Sequence, residues 1–389
     1  MTKKKRVWWL MALMSVVLAM GTISCSSGGD DATPSNDGKN NNETTGGGGS
    51  SSEVSSEDLK TPLTLEAIHD GSITVKNPLQ KSIVYSVNGA PKVETSETVT
   101  IPVVAGDVVC FYGDNAGYGN DHKSTTFACT AECYVYGNVM SLITSSDFAT
   151  AKELEAGSAF HGLFAMNTFI RNHPTRELVL PAIKLTAYCY EDMFSDCTGL
   201  TKAPSLPATE MAKASYLRMF RGCSNLTEAP KLPATDLFVS CYSEMFDDCT
   251  KLTKAPELPA TILWEGCYGA MFRGCTSLTK APQLPATMLE PECYENMFEN
   301  CTSLTEAPSL PALTLAYHCY YEMFRGCTSL RYIKCMAINV SSSTASNCCY
   351  MWTAGVSKNG TFVCAASMKE VWPTGFNGIP EGWTVTTGN

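Results

Sequence analysis

Beyond Met20 the chain has no second long apolar run, so no later segment is built to span a membrane. Histidine is scarce: His69, His122, His161, His173 and His318 are the whole supply, at spacings that suit no tetrahedral zinc site. No metal and no cofactor is expected. A nucleophile elbow, a Walker loop, a Ser/His/Asp set and a paired-carboxylate arrangement are all missing, which leaves catalysis without a visible constellation and points away from an enzyme. Cationic residues are outnumbered, 28 to 38. An acidic surface repels nucleic acid and anionic lipid, so neither is an expected partner.

What is present begins with a basic start, Lys3-Lys4-Lys5-Arg6, and an apolar stretch from Val7 to Met20. Residues 1–24 therefore read as a removable export signal. Thr22-Ile23-Ser24-Cys25 resembles the lipobox of bacterial lipoproteins, with Thr22 where Leu is usual. That resemblance implies a diacylated Cys25 as the lipid anchor, the protein's sole attachment to the membrane. Removing the signal leaves 24 basic against 38 acidic residues, a net charge of −14. Residues 25–60 are rich in Ser, Gly, Asn, Asp and Thr and lack the apolar content to offset ordering, so they read as a flexible tether. Asp30 and Asp31 soon after Cys25 resemble lipoproteins of Gram-negative anaerobes, which implies display on the outer face of the outer membrane.

With 44% hydrophobic residues in 389, two or three real cores are affordable. Residues 61–143 show seven short alternating runs: Leu63–Ile68, Ser72–Val75, Ser82–Val87, Thr98–Val103, Val108–Tyr112, Thr125–Cys129 and Cys133–Tyr136. Turn signals such as Asn88-Gly89 separate them, which predicts a small β-sandwich. From Leu180 a 26-residue unit repeats without slippage, with copies beginning at Leu180, Leu206, Leu232, Leu258, Leu284 and Leu310. A fixed period of this size marks a solenoid whose units bury their apolar faces against one another. Residues 144–179 read as a degenerate first unit with an insertion, which places the solenoid at 144–335. Residues 336–389, where the period breaks, read as a C-terminal cap.

Within the copy at Leu258, Leu263, Cys267 and Met271 recur every fourth residue, which predicts an amphipathic helix capped by Thr261. Its C-terminal turn should fall in the column Asp196, Gly222, Asp248, Gly274, Asn300 and Gly326, which holds only residues that tolerate left-handed geometry. The segment after it, Leu278 to Pro285, should be a short strand with few ladder bonds, because proline occupies two of its columns.

The run MFxxCTSLTxAPxLPATxLxxxCYxxMF resembles the BspA-like leucine-rich repeats of bacterial surface proteins, closely over 180–331 and loosely over 144–179. The resemblance implies a cell-surface solenoid linked to adhesion, with no catalytic residues to carry over. The fold class expected is α+β: an N-terminal all-β sandwich-like domain, a leucine-rich-repeat solenoid with a helix plus short strand per repeat, and a cap.

Eleven of the nineteen cysteines fall in two repeat columns, Cys189, Cys241, Cys267, Cys293, Cys319 and Cys197, Cys223, Cys249, Cys275, Cys301, Cys327. Within a copy they lie eight residues apart, and between helices 8–10 Å apart they are poorly placed to bridge, so buried free thiols are expected, the second column serving backbone carbonyls. Outside the repeats, Cys129 and Cys133 are spaced to bridge a β-turn, with Cys110 as a rival partner, and Cys335, Cys348, Cys349 and Cys364 leave several pairings open. Asp114 to Asp121 fails the pattern of a cation loop and reads as a polar turn.

Candidate binding residues are the neighbours Phe238 and Trp264, which share one otherwise variable column, and the tyrosine column, notably Tyr242, Tyr268 and Tyr294. Packing between helices is the plainer role for the tyrosines. The function expected is a non-enzymatic, lipid-anchored surface protein that binds host or matrix proteins or other cells through its solenoid. A glycan-binding accessory lipoprotein of a polysaccharide-uptake system and a structural spacer are the alternatives.

Overall fold

The computed structural model describes residues 54–120 and 122–388; the signal segment, Cys25 and most of the tether lie outside them. A single helical turn, α1 (Ser56–Lys60), precedes eight strands: β1 (Leu63–Ala67), β2 (Gly71–Lys76), β3 (Ile83–Val87), β4 (Val93–Thr95), β5 (Val99–Val103), β6 (Val108–Tyr112), β7 (Thr126–Cys129) and β8 (Cys133–Asn138). The seven expected runs all form, and β4 is added by the Asn88-Gly89 hairpin, where both residues take positive φ as a primed turn demands. β5, β2 and β7 make one sheet. The other has the order β8-β1-β6-β3-β4, extended on the β8 side by β9 (Ile170–Asn172) and β10 (Leu178–Val179) in parallel register. Phe111 of the large sheet meets Phe127 of the small one edge-to-face at 4.8 Å, at the centre of the shared core.

The repeats stack as expected, but not through helices. Among the described residues no α-helix forms between 180 and 331. Each copy instead winds through consecutive tight turns, with residues at positive φ every fourth position: Ala214, Arg218 and Gly222 in one rung, Ser240, Glu244 and Asp248 in the next, Gly266, Ala270 and Gly274 in the third. Backbone amides alternate in use. Met219 and Cys223 close local turns onto the carbonyls of Tyr216 and Phe220, whereas Phe220 and Gly222 donate to Met245 and Asp247 of the following rung at 3.0 and 2.8 Å. The predicted left-handed column is present in all six copies, but it is one of three such columns rather than a helix terminus.

The physical reason lies in the spacing itself. An α-helix has 3.6 residues per turn, so a stripe repeating every fourth residue drifts about 40° per step and leaves one face within three steps. In a ribbon that turns every fourth residue, Leu263, Cys267, Met271 and Cys275 all stay inside, and all are buried. Non-glycine residues held at positive φ cost about 1–3 kcal/mol each. Bonds to the next rung and about 1.5–3 kcal/mol for each buried Leu, Phe or Met offset that cost.

Two aromatic columns run through this interior. The phenylalanines from Phe194 to Phe324 stack at centroid separations of 5.5–5.9 Å, and the tyrosines from Tyr190 to Tyr320 at 5.6–6.2 Å. Phe164 continues the first column to Phe127, so the sandwich core passes directly into the coil. The rungs are therefore closer than the 8–10 Å expected of packed helices, and distance alone does not keep the cysteines apart. Their aim does. Cys223, Cys249, Cys275, Cys301 and Cys327 each donate Sγ–H to the phenylalanine carbonyl of the preceding rung, Phe194, Phe220, Phe246, Phe272 and Phe298, at 3.0–3.1 Å. All eighteen described cysteines are free.

The extended segments pair sparsely, mostly through isolated bridges such as Lys202 with Glu228 and Glu228 with Lys254, as their prolines dictate. Only the last ones form a continuous parallel sheet, β11 (Glu306–Leu310), β12 (Tyr332–Cys335), β13 (Thr361–Cys364) and β14 (Thr384–Thr387). Residues 336–388 thus extend the coil rather than only close it. A helix, α2 (Ser342–Cys348), lengthens one rung, so that register steps are 29 residues from Tyr332 to Thr361 and 23 from Thr361 to Thr384. Trp352 receives both aromatic columns, stacking on Tyr320 at 5.9 Å and lying 6.1 Å from Phe324.

The rungs also differ in alternation. Asp247 lies between Arg221 and Arg273 of its two neighbours, and Arg325 pairs with Glu299. One position on, a Cβ at Gly222, Gly274 or Gly326 would stand 2.1–2.2 Å from the Oδ1 of Asp196, Asp248 or Asn300 in the rung before. Each of these glycines therefore leaves room for the Asp or Asn side chain of the rung before, room that a side chain at the glycine position would fill. Excising residues 258–283 would set Asp247-Asp248 against Glu299-Asn300, whereas excising 232–283 restores an Arg-Gly rung beside Glu299-Asn300. Thermal melts should show the single-rung deletion unfolding at the lower temperature although it loses less core; the reverse order would show that the alternation carries no stability.

Candidate binding surface on the rungs

The corner that follows each Leu-Pro-Ala segment carries the exposed apolar side chains of the coil. Leu237 and Leu263 point inward, which forces their chain neighbours outward. Phe238 and Trp264 are 44% and 47% exposed and lie parallel at 5.7 Å. Ile262 is 57% and Met288 72% exposed, in one column on adjacent rungs, and Leu313 and Tyr317 are exposed in other columns of the sixth rung. A contiguous apolar surface on a folded chain marks a contact site more often than a solvated one.

Of the residues named from sequence, Phe238 and Trp264 are therefore together and accessible. Tyr242, Tyr268 and Tyr294 are not: each is 1% exposed within the inner column, so none can meet a ligand. Burial accordingly pushes their phenol pKa values well above the ordinary value. The cause is the turn ribbon, which directs both members of each Cys-Tyr and Met-Phe pair inward, where a helix would have left the tyrosine at the edge of its stripe. Cys25 lies outside the described residues. Ile262 and Met288 were not singled out from sequence; the signal for them is an apolar residue in a column held elsewhere by Lys184, Glu210 and Asp236.

Acidic residues frame the patch. Asp236 precedes Ile262 in its column, Glu265 follows Trp264 in the chain, and Glu290 succeeds Trp264 in its column, with Glu292 two residues on. Asp236, Glu265 and Glu290 are exposed, and among the described residues none of the four makes an ion pair. Deeper in the same rungs the carboxyl of Glu295 is pushed up to about 7 by burial, then by repulsion from Glu292 and Glu322.

Other polar clusters are internally satisfied. His161 faces Glu191 and Asp192, each at 3.9 Å, the one grouping of metal-ligand type among the described residues. Arg218 already binds both carboxylates, at 2.7 Å to Glu191 and at 2.9 and 3.0 Å to Asp192, so a cation between them would sit against a guanidinium. At the sandwich–coil junction a cavity of about 100 Å³ is lined by His173, Arg176, Glu177 and Lys202. There Arg176 pairs with the buried Asp58 and Lys202 with Glu177. In the loop after β6, Asp114 accepts from the amide and hydroxyl of Ser145, so it acts as a structural tie.

No family model, curated protein or solved structure matches this chain.

Glu295 makes stability depend on pH. The fold holds it protonated up to about pH 7, against an ordinary value of 4.5. The native state therefore binds the extra proton between these values, and stability should fall as pH rises through that window. Melting temperature measured from pH 4.5 to 8 should decline for the native chain and decline less for Glu295→Gln; identical profiles would remove this role for Glu295.

Proposed function

We propose that this protein is a non-enzymatic, lipid-anchored surface protein of the BspA-like repeat family, whose coil binds a macromolecular partner through the corner carrying Phe238 and Trp264. One observation supports this reading above others: large apolar side chains stand exposed in adjacent columns over rungs three to six, on a backbone fixed by hydrogen bonds to both neighbours. A rigid aromatic pair offers contact area at little entropic cost, as interface anchors require. Anchoring through Cys25 and a tether on the outer face would present this surface away from the membrane.

Two measurements test the proposal. Intact cells displaying the full chain, or the full chain itself, are exposed to immobilised host and matrix proteins. Phe238→Ala/Trp264→Ala should cut retention at least tenfold while the chain still melts cooperatively, because both side chains lie outside the inner columns that hold the coil together. Equal retention by the variant would overturn the assignment of this corner. For the surface location, external protease should clip the protein on intact cells; complete resistance would contradict it.

A further inference from the structure

The same corner carries information about the kind of partner it fits. Phe238, Ile262, Trp264 and Met288 are hemmed by Asp236, Glu265, Glu290 and Glu292, with no Lys or Arg at the corner positions of rungs three to six. Some charges elsewhere on the coil cancel: Arg221, Asp247, Arg273, Glu299 and Arg325 alternate rung by rung, and Arg218 neutralises Glu191 and Asp192. The corner acids make no such ion pair among the described residues; Lys213, two rungs before Glu265 in its column, senses that carboxylate only at longer range. Unpaired carboxylates around an exposed indole favour a cation twice over, through charge and through the face of the ring. We propose, resting on the binding role given above, that this corner docks a cationic protein segment, one whose Lys or Arg side chains meet the four carboxylates while its apolar side chains cover Phe238, Ile262, Trp264 and Met288.

A neutral glycan would stack on Trp264 without needing the acids, and an anionic glycan would be repelled by them. Four carboxylates on an acidic chain likewise repel the phosphates of a nucleic acid. Charge complementarity thus selects a basic polypeptide among the macromolecules a surface protein meets.

The probe is a synthetic twelve-residue peptide with six Lys or Arg and four Leu or Phe, titrated against the full chain by Trp fluorescence and calorimetry. Its charge-reversed counterpart, with Glu for each cation, and a neutral oligosaccharide serve as comparisons. Because a net charge of −10 attracts any cation, the variant Asp236→Asn/Glu265→Gln/Glu290→Gln is compared with Glu97→Gln/Glu370→Gln/Glu381→Gln, which removes as many exposed acids elsewhere. The proposal expects the basic peptide to bind at least tenfold more tightly than the reversed one. It also expects at least a tenfold loss in the corner variant and in Trp264→Ala, and less than a threefold loss in the remote variant. Equal losses in the two triple variants, preference for the acidic peptide, or glycan binding insensitive to the corner acids would each overturn it. If no peptide binds but Trp264→Ala still abolishes retention on host proteins, the cationic partner is wrong and the binding corner stands. If retention is also unchanged, both fail.

Discussion

Everything in the coil depends on backbone amides that alternate between closing a local turn and reaching the next rung. That alternation needs a left-handed residue every fourth position, and the side chains then fall into columns rather than onto a helical stripe. Once columns exist, like meets like: phenylalanine stacks on phenylalanine, tyrosine on tyrosine, and each thiol from Cys197 to Cys327 in the second cysteine column finds a phenylalanine carbonyl of the rung before it. The strain of non-glycine residues at positive φ persists because the stacking on both sides over-determines the backbone.

The two ends show how such a stack is started and finished. At one end the phenylalanine column enters the sandwich through Phe164 and Phe127, so the first rung is laid on the sandwich core. At the other, Trp352 is wide enough to cover both aromatic columns, and Trp372 stacks on it in turn at 5.8 Å. The outer surface is then free to vary, because only the inward columns and the turn positions are constrained. That freedom is why one otherwise variable column can carry Phe238 and Trp264 while its neighbours hold Ala212 and Glu290.

Much of this was legible in the chain. The period, the buried columns, the strands of the sandwich, the Asn88-Gly89 hairpin and the left-handed column through Gly274 all follow from residue chemistry, and so does the exposed pair Phe238 and Trp264. The local conformation of the repeat was not, because apolar residues four apart suit both an α-helix and a ribbon of turns. The strictness of the fourfold spacing distinguishes them, since a helix needs occasional three-residue steps. The packing role of the tyrosines is legible in the same way, but not their depth, for a helix puts Tyr268 at the edge of its stripe and the ribbon puts it inside. Of the C-terminal rungs only Cys349-Tyr350-Met351-Trp352 echoes the repeat in the sequence, because α2 lengthens one rung and the next is short, which hides the period.

Far-ultraviolet circular dichroism of the full chain tests the turn-ribbon coil most directly. The account predicts a β- and turn-dominated spectrum without the paired minima of α-helix, because the described helices are confined to short pieces such as α1 and α2. A spectrum with helix in every repeat, amounting to a third of the coil or more, would contradict it.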